Sequence, residues 1–289
     1  MRGATASGRP SLIRQLWVVI ADSVGHLNAD DGWAMASHVA LSGLMALFPF
    51  LIFVAALAGF IGQEPLAEQV ADLMFQAWPP EVAGPIADEV HRVVGGAGAN
   101  LLTIAAVIAA FLASSGVEAA RVALNRAYRV VDRRSFVWLR AESLLFVLAG
   151  AAGSLVFAFF VALVPPVLQR IVTDIPAFAP FAPVVSVARL IVPGVLIVAL
   201  LAGAHLWLPA GRPRWWQLWP GIAATLILWL ASALVFAIYV ERFSNLGATY
   251  GGLASVVAAL FFLYIAAVSL IYGAELNGSI MRLREGRIG

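Results

Sequence analysis

The sequence predicts an all-α polytopic membrane protein with six transmembrane helices, and three observations carry this prediction. Hydrophobic residues make up 62% of the chain and charged residues 12%, whereas a typical soluble domain has about 25% charged residues. Six apolar stretches each approach the ~20 residues that a helix needs to cross ~30 Å of hydrocarbon. Arginines crowd into every second gap between them, as expected for a chain that crosses a membrane repeatedly. The stretches are 38–62, 100–117, 141–164, 184–208, 219–240 and 252–276.

The N-terminal segment, residues 1–37, is predicted to contain one amphipathic helix. Apolar residues recur at helical spacing between positions 11 and 28, and we expect this helix to lie on the inner membrane surface. A soluble cap helix packed on the bundle is the alternative that the pattern leaves open. Asp22, Asp30 and Asp31 make the segment a poor cleavable signal peptide, so the first stretch is expected to stay as an anchor. The apolar residues of the pattern are Ile13, Leu16, Trp17, Ile20, Val24 and Leu27.

The gaps between the stretches have distinct characters. Pro49 predicts a kink in the first helix. The insert 63–99 is predicted to form two short amphipathic external helices, and a structural cover is favoured there over a binding lid. The basic segment 118–140 is predicted to continue the second helix out of the lipid. Pro165-Pro166 is predicted to lie in the external turn after the third helix.

The placement of the arginines predicts the orientation. All 18 basic residues are arginine, and 14 of them fall in the N-terminal segment, in the gaps after stretches two and four, and in the tail 277–289. Positively charged segments resist translocation, so this side is predicted to be cytoplasmic. Both termini are therefore expected inside, on either side of a six-helix transmembrane domain that spans 38–276.

No catalytic pattern is visible in the sequence. Cysteine is absent, which excludes disulfides, thiol nucleophiles and cysteine-ligated metal sites. The histidines lie in different segments without metal-ligand spacing, and hydrolase, phosphate-loop and dinucleotide motifs do not occur. We therefore expect no enzyme, no cofactor and no resident metal. The histidines are His26, His38, His91 and His205.

Polar residues near the stretches are the informative minority, because charged groups at membrane depth are costly and usually pair or line a wet cavity. On the predicted cytoplasmic side they suggest a polar vestibule, with ion pairs between the second, third and sixth helices. Simple solvation of helix ends is the alternative. The candidates are His38, Glu118, Arg121, Asn125, Arg126, Arg140, Glu142 and Glu275. On the outer side a second cluster comprises Asn245, Tyr250 and Gly251, where a tight turn is the alternative.

Four segments together carry a resemblance to a known family. They read ALSGLMALFPFLIF at 40–53, LNRAYRV at 124–130, WWQLWPGIAATLILWL at 215–230 and NLGATYGGLASVVAALFFLYIAAVSLIYGAEL at 245–276. In their order and spacing they resemble the YihY/virulence factor BrkB family of bacterial inner-membrane proteins, formerly labelled ribonuclease BN. Related chains commonly place tyrosine after ALS, where this chain has Gly43. The resemblance implies a multi-pass protein of the bacterial inner membrane with cytoplasmic termini.

The resemblance also implies a function in the envelope. Family members have been tied to envelope integrity and to export or flipping of lipid-like molecules. We expect a carrier or flippase for an amphiphilic, lipid-like envelope molecule, with an anionic headgroup as one option and a non-transporting scaffold as the alternative. Arg121, Arg126 and Arg140 would attract headgroups, while His38, Glu118 and Glu275 would line or gate the path. A tRNA-processing ribonuclease is a distant third, because the sequence offers no metal cluster or acid–base pair for phosphodiester cleavage.

The expected partners follow from the same placement of charge. Membrane lipids with anionic headgroups on the cytoplasmic side are expected to meet the basic segment 118–140. Nucleic acid is not expected, and homo-oligomerisation is left open.

Overall fold

The computed structural model describes residues 12–60, 99–211, 214–243 and 252–287, and every regular element within them is helical. Six of its helical stretches are long and apolar enough to cross a membrane, which confirms the predicted all-α fold with six spans. Residues 63–98 of the predicted external insert lie outside the described residues, and so does the predicted outer cluster of Asn245, Tyr250 and Gly251.

The helices follow one another along the chain, and several of the connections between them are short. A π-helical turn, Phe159–Leu163, joins the fourth helix to the fifth, and a 3₁₀ helix, Pro176–Phe181, leads into the sixth. The helices are α1 (Leu12–Ala29), α2 (Gly32–Phe60), α3 (Ala99–Ala127), α4 (Phe136–Ala158), α5 (Val164–Asp174), α6 (Ala182–Trp207), α7 (Trp215–Phe243) and α8 (Gly252–Arg284).

The basic segment and the prolines behave differently from the sequence prediction. α3 continues into the basic segment but ends at Ala127, and α4 begins at Phe136. The prediction that Pro165-Pro166 lies in the external turn is wrong, because the two prolines occupy the first positions of α5 and the helical path breaks only at Ile175. Proline lacks the N–H that an α-helix needs. The π-helical turn before it shifts the bonding register, so the chain runs on through both prolines.

Small residues allow the helices to approach closely. α2 packs along α3, α8 packs against both α2 and α7, and α1 lies mainly against α8. Between α7 and α8 the backbones nearly touch, since a Cβ added to Gly221 would run into the carbonyl oxygen of Gly273. Such close approach is typical of helices that associate in lipid. By contrast, large apolar side chains such as Leu190 and Leu234 are 70% and 67% exposed on the outside of the spans, where lipid would cover them.

Candidate functional site

Polar side chains meet at one end of the bundle, which we call the arginine-rich end. It contains the first turns of α2, α4 and α7, the last turns of α3, α6 and α8, and the connection 128–135 between α3 and α4. Within the described residues, seven ion pairs that join different helices or their junctions gather here, and in three of them the acidic partner comes from α1 or the α1–α2 junction. The arrangement therefore joins the spans at this end by charge as well as by packing.

One ion pair joins α3 and α4. The Arg140 guanidinium lies 2.8 Å from Glu118 and donates to the Ser114 hydroxyl at 2.6 Å. The same guanidinium lies 4.1 Å from the ring centroid of Phe111, whose side chain is 47% exposed on the outside of α3. Glu118 thus pairs across the helices and not with Arg121 one turn along α3. The pair is only partly covered, with side-chain exposures of 30% for Glu118 and 19% for Arg140.

Arg121 is a buried cation on the same helix. Its side chain is 5% exposed and donates to the hydroxyl of Ser143 and to the carbonyl oxygen of Leu139 on α4. Its Nε has no hydrogen-bond partner among the described residues and lies 4.0 Å from Glu142. A buried guanidinium is stable only when its charge is compensated. Arg121 therefore depends on α4 keeping its present position.

Arg134 ties the α3–α4 connection to α6. Its guanidinium bonds Asp132 at 2.7 Å and Glu142 at 2.8 Å, and it donates to the carbonyl oxygens of Trp207 and Leu208. The last carbonyls of a helix have no partner within the helix, so Arg134 caps the end of α6. Hydrogen bonds from Arg134 lower the pKa of Asp132 to about 2. The same bonds to Asp132 raise the pKa of Arg134 above its usual value.

Asn125 fastens two connections to α3 at once. Its amide nitrogen donates to Asp132 at 3.1 Å, and its amide oxygen accepts from the backbone N–H of Ala210 at 2.8 Å. The side chain is 8% exposed. Asn125 thus connects the α3–α4 segment with the segment that follows α6.

A second group of charges joins the α1–α2 junction to the end of α3. We call it the junction clasp, and it consists of Asp30, Asp31, Arg126 and Arg129. Arg126 lies 2.7 Å from Asp31, and Arg129 lies 2.6 Å from Asp30. Asp31 and Arg129 both adopt left-handed backbone conformations, with φ of 53° and 54°. Such conformations cost non-glycine residues of order 1 kcal/mol or more and often mark functional positions.

Glu275 of α8 lies behind the clasp. It is 1% exposed, its Oε2 has no hydrogen-bond partner among the described residues, and the Nη2 of Arg129 lies 3.8 Å from this oxygen. A buried carboxylate without a nearby cation is strongly unfavourable. Arg129 therefore serves two carboxylates, Asp30 at the surface and Glu275 inside.

A chain of directional hydrogen bonds crosses the core between α7, α8, α3 and α6. The amide oxygen of Asn277 accepts from the Gly221 N–H at 2.7 Å, so its nitrogen must donate to the Tyr128 hydroxyl at 3.2 Å. Burial raises the pKa of Tyr128, which keeps its proton. The Tyr128 hydroxyl can then donate this proton in a hydrogen bond to Nδ1 of His205, which lies 3.0 Å away.

The direction of this chain fixes the tautomer of His205. A Nδ1 that accepts carries no proton, so a neutral ring holds its proton on Nε2. The side chain is fully buried, and Nε2 has no partner among the described residues. The opposite tautomer would leave both the tyrosine proton and Nε2 unpaired. Counting unpaired groups therefore favours the arrangement in which Tyr128 donates.

The residues predicted from the sequence are not all in one place. Glu118, Arg121, Arg140 and Glu142 meet between α3 and α4, whereas Asn125, Arg126 and Glu275 belong to the neighbouring groups. His38 is exposed on α2, away from any hydrogen bond or ion pair that the described part of the chain shows. Sequence reasoning passed over three residues that join different elements of the bundle. These are Tyr128, Arg129 and Arg134, all within the basic segment 118–140, and most of their partners lie far away in the sequence.

Charges in this network nearly balance. The arginines that were expected to attract headgroups each have a partner: Arg121 has Glu142 and Ser143, Arg126 has Asp31, and Arg140 has Glu118. No group of three or more His, Asp or Glu residues that could hold a metal ion occurs in the described ranges. The network as a whole comprises Arg121, Arg126, Arg129, Arg134 and Arg140 facing Asp30, Asp31, Asp132, Glu118, Glu142 and Glu275.

Comparisons with known proteins give the family. A ribonuclease-like protein of Bacillus subtilis (strain 168), YfkH, is 26% identical over 261 residues, which cover 88% of this chain and 92% of that protein. The UPF0761 membrane protein RC1_0578 of Rhodospirillum centenum (strain ATCC 51521 / SW) is 26% identical over 278 residues. Those residues are 93% of this chain but 59% of that protein. No solved structure matches the chain. Residues 23–288 match the family described as Virulence factor BrkB, and the chain therefore belongs to this family of membrane proteins.

Proposed function

We propose that the protein is a carrier or flippase for an amphiphilic, anionic envelope molecule in the bacterial inner membrane. In this proposal both termini are cytoplasmic, and the arginine-rich end is the inner gate in its closed state. The observation that carries the proposal is the asymmetry of charge pairing. Ion pairs between helices of the described residues gather at one end of the spans, where they hold α3, α4, α8 and the α1–α2 junction together.

Ion pairs of this kind suit a gate because breaking one and forming another changes the free energy only slightly. Partly exposed ion pairs are worth about 0–1 kcal/mol each, so breaking one of them during a transport cycle is not prohibitive. The Glu118–Arg140 pair and the Arg126–Asp31 pair are of this type. An anionic headgroup could take the place of the carboxylate and keep the guanidinium paired. The substrate would then open the gate by replacing the carboxylate as the partner of the arginine.

The outer edge of the α3–α4 contact, at Arg140, is the proposed entry for such a substrate. Arg140 lies there beside the exposed rings of Phe111 and Phe136. An amphiphile that enters from the lipid would meet apolar rings with its chain and a guanidinium with its headgroup. This neighbourhood of ring and cation favours an amphiphilic substrate over a small hydrophilic one.

A non-transporting scaffold is the second candidate. It is favoured by the near balance of charges in the network, because a purely structural clasp would also pair its arginines internally. A tRNA-processing ribonuclease is the distant third candidate, and its support is the ribonuclease-like name that one relative carries.

Reconstitution separates the two candidates. Purified protein in liposomes is tested for movement of fluorescent headgroups between leaflets, with an anionic and a zwitterionic lipid in parallel. A carrier is expected to move the anionic lipid faster than protein-free liposomes do, and faster than the zwitterionic one. Absence of movement with correctly inserted, folded protein would contradict the carrier and favour the scaffold.

In cells, Glu118→Gln and Arg126→Ala are expected to lower resistance to envelope stress without lowering the amount of protein in the membrane. The matched control is Ser232→Ala, at an exposed position on α7 whose hydroxyl bonds only its own helix. Normal resistance in both gate variants would remove the proposed gate from the mechanism.

A further inference from the structure

The carboxyl group of Glu275 lies in surroundings that fully suit neither of its protonation states. A carboxylate that stays ionised inside a protein usually accepts several hydrogen bonds, and a carboxyl group that stays protonated has an acceptor for its O–H. Oε2 of Glu275 is buried and makes no hydrogen bond among the described residues. The Nη2 of Arg129 lies 3.8 Å away, beyond hydrogen-bond distance. A proton can therefore be added to this oxygen without breaking a hydrogen bond.

Arg129 is shared between Glu275 and a closer partner. Its Nη2 lies 2.6 Å from a carboxylate oxygen of Asp30, against 3.8 Å from Oε2 of Glu275. The side chains of Arg129 and Asp30 are 34% and 28% exposed. Water therefore reaches the junction clasp, behind which Glu275 lies, and can bring a proton to the buried carboxylate.

The charges around Glu275 do not balance. From α1, Asp22 pairs with Arg282 of α8 at 2.6 Å, and Nε2 of His26 lies 3.3 Å from Asp22. Burial, followed by the charges of two arginines, lowers the pKa of His26 from its ordinary 6.5, so this ring is neutral at neutral pH. Within the described residues, three carboxylates thus share two guanidinium groups. They are Asp22, Asp30 and Glu275 with Arg129 and Arg282.

The remaining titratable neighbours leave this imbalance in place. Arg126 and Asp31 pair with each other at 2.7 Å, so together they add no net charge. Tyr128 keeps its proton, because burial raises its pKa. The titratable residue of α2 is His38, whose side chain is exposed. Among the three carboxylates, Glu275 is the most buried and has the most distant cation, so it is the one that gains most from a proton.

We propose that Glu275 is a reversible proton-binding site, whose carboxylate is held by Arg129 when ionised and leaves Arg129 to Asp30 when a proton bonds to Oε2. The proton comes from water at the clasp, and its binding makes the set of three carboxylates and two guanidinium groups neutral. It also removes the ion pair that joins the end of α3 to α8 and spares the one with the α1–α2 junction. The inference goes beyond the proposed function, because a carrier and a scaffold would both contain this contact.

Infrared difference spectroscopy of the purified full-length protein detects the proton directly. A buried carboxylic acid without a hydrogen bond shows its C=O stretch at higher frequency than a solvated one does. Such a band is expected to appear in the parent as the pH is lowered, and to be absent from Glu275→Gln. Persistence of the band in Glu275→Gln would overturn the proposal. So would its absence from the parent over the whole pH range in which the protein stays folded, since the proton would then go to His26 or to neither group.

A matched pair of variants tests the competition for Arg129. Asp30→Asn removes the competing carboxylate, so ionised Glu275 keeps the cation to itself, and the midpoint of the band should move to lower pH by about one unit. Asp31→Asn makes the same substitution at the next position, where it changes the partner of Arg126. Asparagine tolerates the left-handed conformation there, and the midpoint should match that of the parent.

Both of these variants retain Glu275, so the test does not depend on the folding of Glu275→Gln. A midpoint in Asp30→Asn equal to that of the parent would contradict the proposed exchange of Arg129 for a proton. Equal displacement in Asp30→Asn and Asp31→Asn would also contradict it, because a general change of surface charge would then explain the effect.

Discussion

α3 and α8 end in the same backbone motif but place different residues at its critical position. In both, the chain turns back through a residue with positive φ, and the N–H groups of that residue and of the next one bond carbonyls of the last helical turns. That residue is Arg129 after α3, with φ of 54°, and Gly286 after α8, with φ of 70°. The corresponding bonds run from Arg129 to Arg126 at 3.0 Å, Val130 to Asn125 at 2.9 Å, Gly286 to Leu283 at 3.1 Å and Arg287 to Arg282 at 2.9 Å.

The difference shows what a side chain can add to a helix end. Glycine adopts the left-handed conformation freely, and nothing lies within 4 Å of a Cβ at Gly286. Arg129 meets the backbone strain of a non-glycine residue, but its guanidinium pairs with Asp30 and lies nearest to the buried Glu275. We infer that the backbone strain at Arg129 is offset by the pairing of its guanidinium with the carboxylates of Asp30 and Glu275. At the end of α8 this position is needed only for the left-handed backbone conformation, which glycine adopts without strain.

The largest expected loss of stability comes from giving the end of α3 the glycine that the end of α8 has. Arg129→Gly relieves strain of about 1 kcal/mol, yet it removes the cation nearest to the buried Glu275, and breaking a buried pair costs about 3–5 kcal/mol. We expect the free energy of unfolding to fall by about 2–4 kcal/mol. Thermal unfolding in detergent, followed by tryptophan fluorescence, measures the change.

The control for this experiment is the double variant Arg129→Gly/Glu275→Gln. Glutamine removes the buried charge, so most of the lost stability should return. A double variant no more stable than Arg129→Gly alone would show that Arg129 does not act through Glu275.

A smaller effect is expected from the reverse change at α8. Gly286→Arg introduces the strain without any carboxylate to neutralise, and a Cβ there has open space. We expect destabilisation of about 1 kcal/mol and unchanged headgroup movement in liposomes. If Gly286→Arg proved as damaging as Arg129→Gly, the comparison of the two ends would fail.

The smallest expected effect depends on pH and concerns the connection that follows the α3 motif. Arg134 lowers the pKa of Asp132 from its ordinary 3.8 to about 2. Because the folded state has the lower pKa, this carboxylate stabilises the fold above about pH 4, and the contribution is lost as pH falls from about 4 to about 2. Asp132→Asn should therefore lower the melting temperature at neutral pH, and the difference from the parent should fade across that window. A difference that faded above pH 4 would assign the effect to another group.

Hydropathy and arginine placement were enough to predict the spans, because lipid imposes a length and a composition on each helix. The same reasoning left Arg121, Arg126 and Arg140 open as partners of Glu118 and could not choose among them. Glu118 has the right spacing for Arg121 on its own helix, yet its partner is Arg140, which only the packing of α4 on α3 brings near. Nor does the sequence around 129 contain the glycine that usually signals a helix end. The end of α3 was therefore hidden from sequence reasoning.

The π-helical turn shows a similar limit. Two consecutive prolines ordinarily end a helix, and the sequence prediction used that rule at Pro165-Pro166. The widened turn Phe159–Leu163 changes the bonding register just before them, and the helical path continues. Such a shift depends on the packing of neighbouring helices as much as on the local residues.

The most direct test of the proposed gate is a reversible lock across α3 and α4. In this cysteine-free chain, Glu118→Cys/Arg140→Cys can be bridged by a bifunctional methanethiosulfonate reagent that a reductant cleaves. Single-cysteine variants treated with the same reagent are the controls. If these two helices separate during transport, bridging should stop headgroup movement in liposomes and reduction should restore it. Movement that continues undiminished in the fully bridged protein would contradict a gate at this position.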